Sequence, residues 1–311
     1  MRTIPLQFAA LAIAWGSSFL FIKEGLAGLS PTQVTAARMT IGALTLAVVA
    51  VGTRAPLIRE PRAVAHIAIV AVTLCVVPFT LFAWAEERID SGLASILNAT
   101  TPLMTVLVTC VALRSERPTP GQLAGLGVGF AGVLVVLAPW ASGGSGTVSG
   151  QLTCLAATAS YGIAFVYLRR FVTPLALRAP SVALYQVGIG AAIIDAWVLV
   201  ADPHPASATP RVISAMLALG ALGTGLAYLW NTNIVAAWGA AAAASVTYLT
   251  PVVGVVLGVA VLGERPAWNQ PLGGLIVLAG IVLSRRDARP GPHPPDGAPD
   301  HAVRRSRTTR R

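Results

Sequence analysis

Ala94-Ser95-Ile96-Leu97-Asn98-Ala99-Thr100-Thr101-Pro102 is followed by an apolar run, by Glu116-Arg117-Pro118, and then by Gly125 and Gly132. The same order recurs further on. Ala243-Ala244-Ser245-Val246-Thr247-Tyr248-Leu249-Thr250-Pro251 precedes an apolar run, Glu264-Arg265-Pro266, Gly273 and Gly280. The spacing from Pro118 through Gly125 to Gly132 equals that from Pro266 through Gly273 to Gly280. A self-similarity of this length marks a duplicated structural unit. Each copy is two apolar runs joined by a short charged turn.

Working outward, the echo continues. Trp15-Gly16 with Phe19 is matched by Tyr161-Gly162 with Phe165, and Pro31-Thr32 by Pro180-Ser181. Apolar runs long enough to cross a bilayer, about 20 residues each, are expected at 4–22, 32–52, 63–85, 91–113, 120–138, 150–169, 180–201, 211–232, 239–262 and 268–284. Pro31, Pro61, Pro120, Pro174, Pro203, Pro205 and Pro266 mark junctions, because proline is tolerated in a first helical turn and disrupts a helix interior. Run length and the lack of two-residue alternation exclude barrel strands.

The predicted fold is therefore an all-α membrane protein of ten transmembrane helices. It reads as two five-helix repeats, 1–139 and 149–284, joined through the short flexible stretch Ala141-Ser142-Gly143-Gly144-Ser145-Gly146. Five is odd, so the second repeat must enter the membrane from the opposite side. Inverted repeats of this kind are a secondary-transporter architecture.

Composition supports a lipid environment. Of 311 residues, 55% are hydrophobic and 11% charged, against roughly 25% charged in soluble domains. The net charge of +10 does not indicate nucleic-acid binding, since the basic residues gather in short turns and in the tail. With the amino terminus inside, the inner loops and ends hold 12 basic residues (Arg2, Arg54, Arg59, Arg62, Arg114, Arg117, Arg169, Arg170, Arg178, Arg285, Arg286, Arg289). The outer loops hold 4: Lys23, Arg88, Arg211 and Arg265. This asymmetry predicts two cytoplasmic termini in an inner cell membrane. Residues 285–311 read as a disordered basic cytoplasmic tail.

Within the runs, polar and aromatic residues are the candidates for function. Trp15, Ser18 and Phe19 on the first helix and Tyr161 on the sixth combine aromatic surface with hydroxyls, a mixture that suits amphipathic organic substrates. Asn98, Thr101 and Pro102 sit midway along the fourth helix, and Tyr248, Thr250 and Pro251 occupy the matching place on the ninth. Two symmetry-related proline kinks would free carbonyls that need a partner or a cavity. Trp230 falls toward the end of the eighth run, where capping competes with binding.

Arg38 lies two turns inside the second helix, where an arginine costs at least about 2.5–3.5 kcal/mol on insertion scales. A carboxylate substrate, helix-end carbonyls or snorkelling could offset that cost. Asp195 is the only carboxylate well inside a run and is the candidate for a coupling proton; the interface or Arg211 is the rival assignment. Glu86, Glu87 and Asp90 read as a solvated outer turn, with a gate or cation funnel as the alternative. Cys75, Cys110 and Cys154 read as small core hydrophobes. No metal-ligand spacing, cofactor motif, HExxH or nucleophile elbow is present.

Taken together, Trp15-Gly16, Arg38 after Pro31, Ala94…Pro102, Glu116-Arg117 and Gly125…Gly132, with their second-half echoes, resemble the EamA repeat of the drug/metabolite transporter superfamily. The resemblance covers residues 4–284. It implies an inner-membrane carrier that exports small organic solutes such as amino acids, metabolites or drugs. It also implies a cavity between the halves lined by helices one, three, four, six, eight and nine, favouring Trp15, Asn98, Thr101, Tyr161, Trp230 and Tyr248. Two departures stand out. Leu113-Arg114-Ser115-Glu116 replaces the Leu-Gly-Glu that the second half keeps as Leu262-Gly263-Glu264, and the counterpart of Arg38 lies near Gln186, which is uncharged.

The expected partners are a small-molecule substrate, the lipid bilayer and a coupling proton, with no nucleic acid and no signal for oligomeric state. A membrane enzyme acting on a lipid-linked substrate would need Glu86, Glu87 and Asp90 as its reactive cluster. A non-transporting scaffold would tolerate changes at Trp15 and Asn98.

Overall fold

The computed structural model describes residues 3–112, 119–138, 145–238 and 240–286. The first-copy turn Glu116-Arg117-Pro118 and almost all of the basic tail lie outside the described residues. Helices fill the described chain. Nine of them are long and apolar enough to span a bilayer: Ile4–Gly25, Pro31–Gly52, Pro61–Glu86, Ser91–Ala112, Pro120–Leu137, Thr147–Leu175, Ala179–Ala201, Pro210–Trp238 and Ser245–Leu262. A shorter apolar helix, Asn269–Ser284, makes the tenth.

Local chemistry sets several boundaries. Pro31 and Pro120 occupy first turns behind capping boxes in which Ser30 pairs with Gln33 and Thr119 with Gln122. The Thr209 hydroxyl caps the Pro210 helix by accepting from the Val212 amide. These devices satisfy amides that a helix start leaves open. After the ninth span the chain turns at Gly263, whose φ of +68° a side chain would disfavour. That turn delivers Glu264 to the place described below.

Packing shows the halves to be inverted. The fifth and tenth spans cross in backbone contact through glycine. A Cβ built on Gly125 would lie 2.5 Å from the Gly280 carbonyl oxygen, and one on Gly132 would lie 2.8 Å from that of Gly273. Rising numbers on one helix meet falling numbers on the other, so these two equivalent helices run antiparallel. The two contacts also exchange when the halves are swapped, as a pseudo-twofold axis demands.

The other pairings obey the same exchange. The first span packs on the ninth as the sixth does on the fourth. The second packs on the eighth as the seventh does on the third, and the first on the eighth as the sixth on the third. Large apolar side chains such as Val48, Val51, Leu199, Val200 and Leu275 remain exposed, as a lipid-facing surface requires.

Three spans contain π-helical stretches. The third contains a π-helical stretch at Val72–Val76 and the eighth one at Ala218–Leu226. These are equivalent positions in the two halves. The sixth ends in another, Leu168–Val172.

The expected pair of kinks is half present. The fourth span is broken into Ser91–Asn98 and Thr101–Ala112, with Pro102 in the first turn of the second piece. Pro251 instead lies inside a continuous helix, Ala240–Leu262. The hydroxyls explain the difference. Thr100 donates to Leu97 O and Thr101 to Asn98 O, both three residues back, which closes a tight turn. Thr250 donates four residues back, to Val246 O, and leaves the helix unbroken.

Candidate functional site

The π-helical stretches aim side chains at the second and seventh spans, and there the two halves build one constellation twice. Arg38 stacks its guanidinium 3.6 Å from the centre of the Phe79 ring and donates from Nε to Thr224 Oγ1 at 3.0 Å. Gln186, at the matching place on the seventh span, donates from Nε2 to Tyr228 Oη at 2.9 Å and to Cys75 Sγ at 3.1 Å. Phe79 and Tyr228 are equivalent residues, and so are Cys75 and Thr224. Each central residue of the second or seventh span therefore meets an aromatic ring from one half and a small polar group from the other. The two copies differ in charge, one holding a guanidinium and the other an amide.

The energetics of Arg38 close locally. It is 8% exposed, and the insertion cost is about 2.5–3.5 kcal/mol. A desolvated cation–π contact returns about 2 kcal/mol, and a charged hydrogen bond about 1.5–3 kcal/mol. The burial needs no ligand to be tolerated. Among the described residues, however, the two terminal amino groups of Arg38 make no hydrogen bond, so the guanidinium keeps donors for an anion. Tyr161, Cys75, Tyr228 and Glu86 all lie within its electrostatic range.

Above this centre lies an aromatic wall. Phe82 meets Phe19 edge-on at 5.7 Å and Tyr161 at 6.1 Å, and Tyr161 meets Phe165 at 6.4 Å. Phe79, Phe82 and Glu86 share one face of the third span, since they are three and four residues apart. Arg38, the aromatic wall and Glu86 thus form a column about 10 Å tall at ~1.5 Å per residue.

Of the residues singled out from sequence, Arg38, Tyr161 and Phe19 converge here. Trp15 and Trp230 pack together in a different cluster, around Leu11, Ala227, Ile234 and Val246. Trp230 is no helix end: its helix runs on to Trp238, and Asn233 donates to Gln7 Oε1 across it. The Ser18 hydroxyl turns back to Ala14 O beside Gly223. Thr101 is spent on the Asn98 carbonyl and Thr250 on Val246 O. Tyr248 lines an apolar cavity of about 550 Å³ with Leu278, Ala279, Val282 and Leu283, between the ninth and tenth spans and away from the central column.

Three assignments change. Asp195 accepts from Thr40 Oγ1 at 2.8 Å, and Arg211 pairs with Glu24 instead. Cys75 is no mere core hydrophobe, because its sulfur is a member of the central constellation. Glu86 is not part of a solvated turn. It is 0% exposed, while Glu87 turns outward to Arg88.

Sequence reasoning missed Phe79, Thr224, Tyr228 and the inward turn of Glu86. Their signal was positional: each lies at a matching or facing register of Arg38 and Gln186.

At the face that carries residues 87–90, side chains fasten one half to the other. Glu264 accepts the Ser91 amide at 2.7 Å and the Gly92 amide at 2.9 Å. It thereby caps the fourth span from across the interface. Within the first half, Lys23 donates to the carbonyls of Glu86 and Ile89. Asp202 accepts from Ser30, Thr32 and His204. Burial opposes ionisation of Asp202, but these hydrogen bonds outweigh it and hold the carboxyl well below the usual carboxylate range. Burial, then the nearby Glu264 charge, pushes the Asp90 carboxyl up, with Lys23 opposing. The opposite face is tied by Arg178 to Arg54 O, Ser181 to Pro56 O and Asn233 to Gln7. Among the described residues no group of His, Cys, Asp and Glu could hold a metal ion.

Comparison with known proteins agrees with this architecture. Residues 3–138 and 148–286 each match the family model described as "EamA-like transporter family". The chain is 30% identical over 281 residues to a "Probable terminal-alkyne amino-acid exporter" of Streptantibioticus cattleyicolor, covering 88% of this chain and 90% of that one. It is 27% identical over 287 residues to the "Uncharacterized inner membrane transporter YedA" of Escherichia coli, covering 88% of each. A "Riboflavin transporter" of Brucella anthropi is 30% identical over 248 residues, covering 76% of this chain and 81% of that protein. A solved structure superposes with a TM-score of 0.64 at 22% identity, covering 91% of this chain and 98% of its own, which supports the fold.

Proposed function

The chain belongs to the EamA-like transporter family and is a multi-pass membrane transporter; from that premise we propose that it exports a small amphipathic organic solute, of amino-acid-like or drug-like kind, across the inner membrane by alternating access. One observation carries the reading: the constellation built twice, on either side of a pseudo-twofold axis, where the second, third, seventh and eighth spans meet. A site repeated across such an axis presents the same contacts to a solute arriving from either face. Arg38 breaks the equivalence and offers free donors to a carboxylate or other anionic group. The aromatic wall of Phe19, Phe82 and Tyr161 beside it suits an apolar moiety.

The fastenings at the 87–90 face support a gate shut on that side, and the opposite face is tied as well. Glu264 and Lys23 close that side over Glu86. The basic-residue asymmetry supports reading that face as the external one and both termini as cytoplasmic. On that reading the outer side of the carrier is closed.

The experiment is comparative metabolite profiling of cells and medium with and without the protein, followed by flux of each differing solute in proteoliposomes. Export of at least one such solute, dependent on the protein, is the expected result. Identical profiles and no flux under an imposed proton or solute gradient would overturn the proposal.

A further inference from the structure

Glu86 ends the third span with 0% exposure, and neither carboxyl oxygen has a hydrogen-bond partner among the described residues. This is unusual because buried polar side chains are almost always paired. An ionised carboxylate left in that position would cost several kcal/mol. The groups facing it are few. Lys23, from the first span, spends its ammonium on the backbone carbonyls of Glu86 and Ile89 rather than on the carboxyl. Glu264 and Arg38 act on it from across the interface and from the second span, and Cys154 faces it from the sixth. Asp90 lies four residues along its own chain. No ion pair to Glu86 forms among the described residues, so the environment accepts the neutral acid and rejects the anion.

Building on the transporter reading, we propose that Glu86 is the site at which the transport cycle takes up and releases a proton. In the closed arrangement it is held as a carboxylic acid. Opening the 87–90 face breaks the Glu264 cap and frees Lys23 from the two carbonyls. Water then reaches Glu86, and the freed ammonium can pair with the carboxylate. The step is a bare proton transfer, from –COOH to –COO⁻ with the proton passing to water, and nothing is oxidised or reduced. Asp195, by contrast, has a hydrogen-bond donor in Thr40.

Two measurements on the purified full chain test this without any solute. Infrared spectra at neutral pH should show a carboxylic-acid C=O band in the wild type and lose it in Glu86→Gln, while Asp195→Asn and Glu264→Gln retain it. A band that survives in Glu86→Gln, or that the wild type lacks, overturns the proposal. Amide hydrogen-exchange protection across residues 86–92, taken relative to the intrinsic base-catalysed rate at each pH, should fall from neutral to alkaline pH in the wild type and stay flat in Glu86→Gln, an isosteric change that matches the neutral acid and should fold. An equal pH response in both proteins severs the proton from the gate and overturns the coupling. Because neither readout needs flux, an absence of transported solute alongside the expected band would reject the transporter reading and leave the proton site standing.

Discussion

Two glycines two residues apart on the fifth span separate packing from intrinsic helix preference. A Cβ on Gly125 would lie 2.4 Å from the Ser284 amide nitrogen and 2.5 Å from the Gly280 carbonyl oxygen, whereas one on Gly127 meets nothing within 4 Å. Ordinary contact begins near 3.4 Å, and the obstacles at Gly125 are backbone, so relief requires the fifth and tenth helices to part by about 1 Å. A gap of that size forfeits a quarter to a half of each atom pair's dispersion well along the seam. Overpacking of this kind costs about 1–3 kcal/mol. Both substitutions to alanine gain the same helix preference, about 0.8–1 kcal/mol, so that contribution cancels in the comparison. Gly125→Ala should therefore be about 1–3 kcal/mol less stable than Gly127→Ala in reversible detergent unfolding. Gly273→Ala, its symmetry mate, has backbone obstacles at 2.7 Å and should behave like Gly125→Ala. If Gly125→Ala proved as stable as Gly127→Ala, the backbone seam on which the inverted pairing rests would be wrong.

Other outcomes follow from the site. Glu264→Ala removes two charge-assisted bonds to the start of the fourth span; a lost cap costs about 0.5–2 kcal/mol, so thiol labelling of Ser91→Cys, buried in the closed state, should speed up several-fold. Unchanged labelling would show that the cap does not hold the gate. Arg38→Gln puts in the first constellation the amide that the second already carries at Gln186, so the fold should persist while binding of anionic solutes weakens relative to neutral ones; equal losses for both would remove the guanidinium from solute recognition. The depressed carboxyl of Asp202 contributes stability that is complete above the ordinary carboxylate pKa and is lost as pH falls below it through the lower native value. Asp202→Asn should accordingly flatten the acid limb of the stability profile, and an unaltered limb would refute the assignment.

Span positions and the duplication were legible because both are one-dimensional. Run length, turn prolines and the repeated Pro–Gly–Gly spacing survive projection onto a sequence, and the expected run at 180–201 became Ala179–Ala201. The direction in which each side chain points was not legible. A helix apolar on every side carries no periodic stripe to mark its inner face, so Glu86 at the edge of a charged turn read as solvated, as its companions Glu87 and Asp90 are. The π-helical stretches have no sequence signature here, yet they bring Cys75 and Thr224 to their partners. The proline pair shows the same limit. Pro102 and Pro251 occupy matching positions, and only the hydroxyl geometry of Thr100, Thr101 and Thr250 separates a broken helix from a continuous one.

The symmetry also divides the molecule into parts that must move and parts that need not. In an inverted-repeat carrier the two end states are related by exchanging the conformations of the halves. Whatever already looks the same in both halves can stay as it is, and whatever differs must change. The Arg38–Phe79–Thr224 and Gln186–Tyr228–Cys75 constellations are already alike in placement, though not in charge, as are the paired glycine crossings of the fifth and tenth spans. These are the pivot. The unequal features are the broken fourth span against the unbroken ninth, and Glu86 against Ile234 and Val235 at the matching register. Both first-half members of these pairs adjoin the 87–90 face, where Glu264 and Lys23 make their contacts. The asymmetry is thus concentrated where a gate has to open, and the one buried carboxyl without a partner among the described residues lies in it.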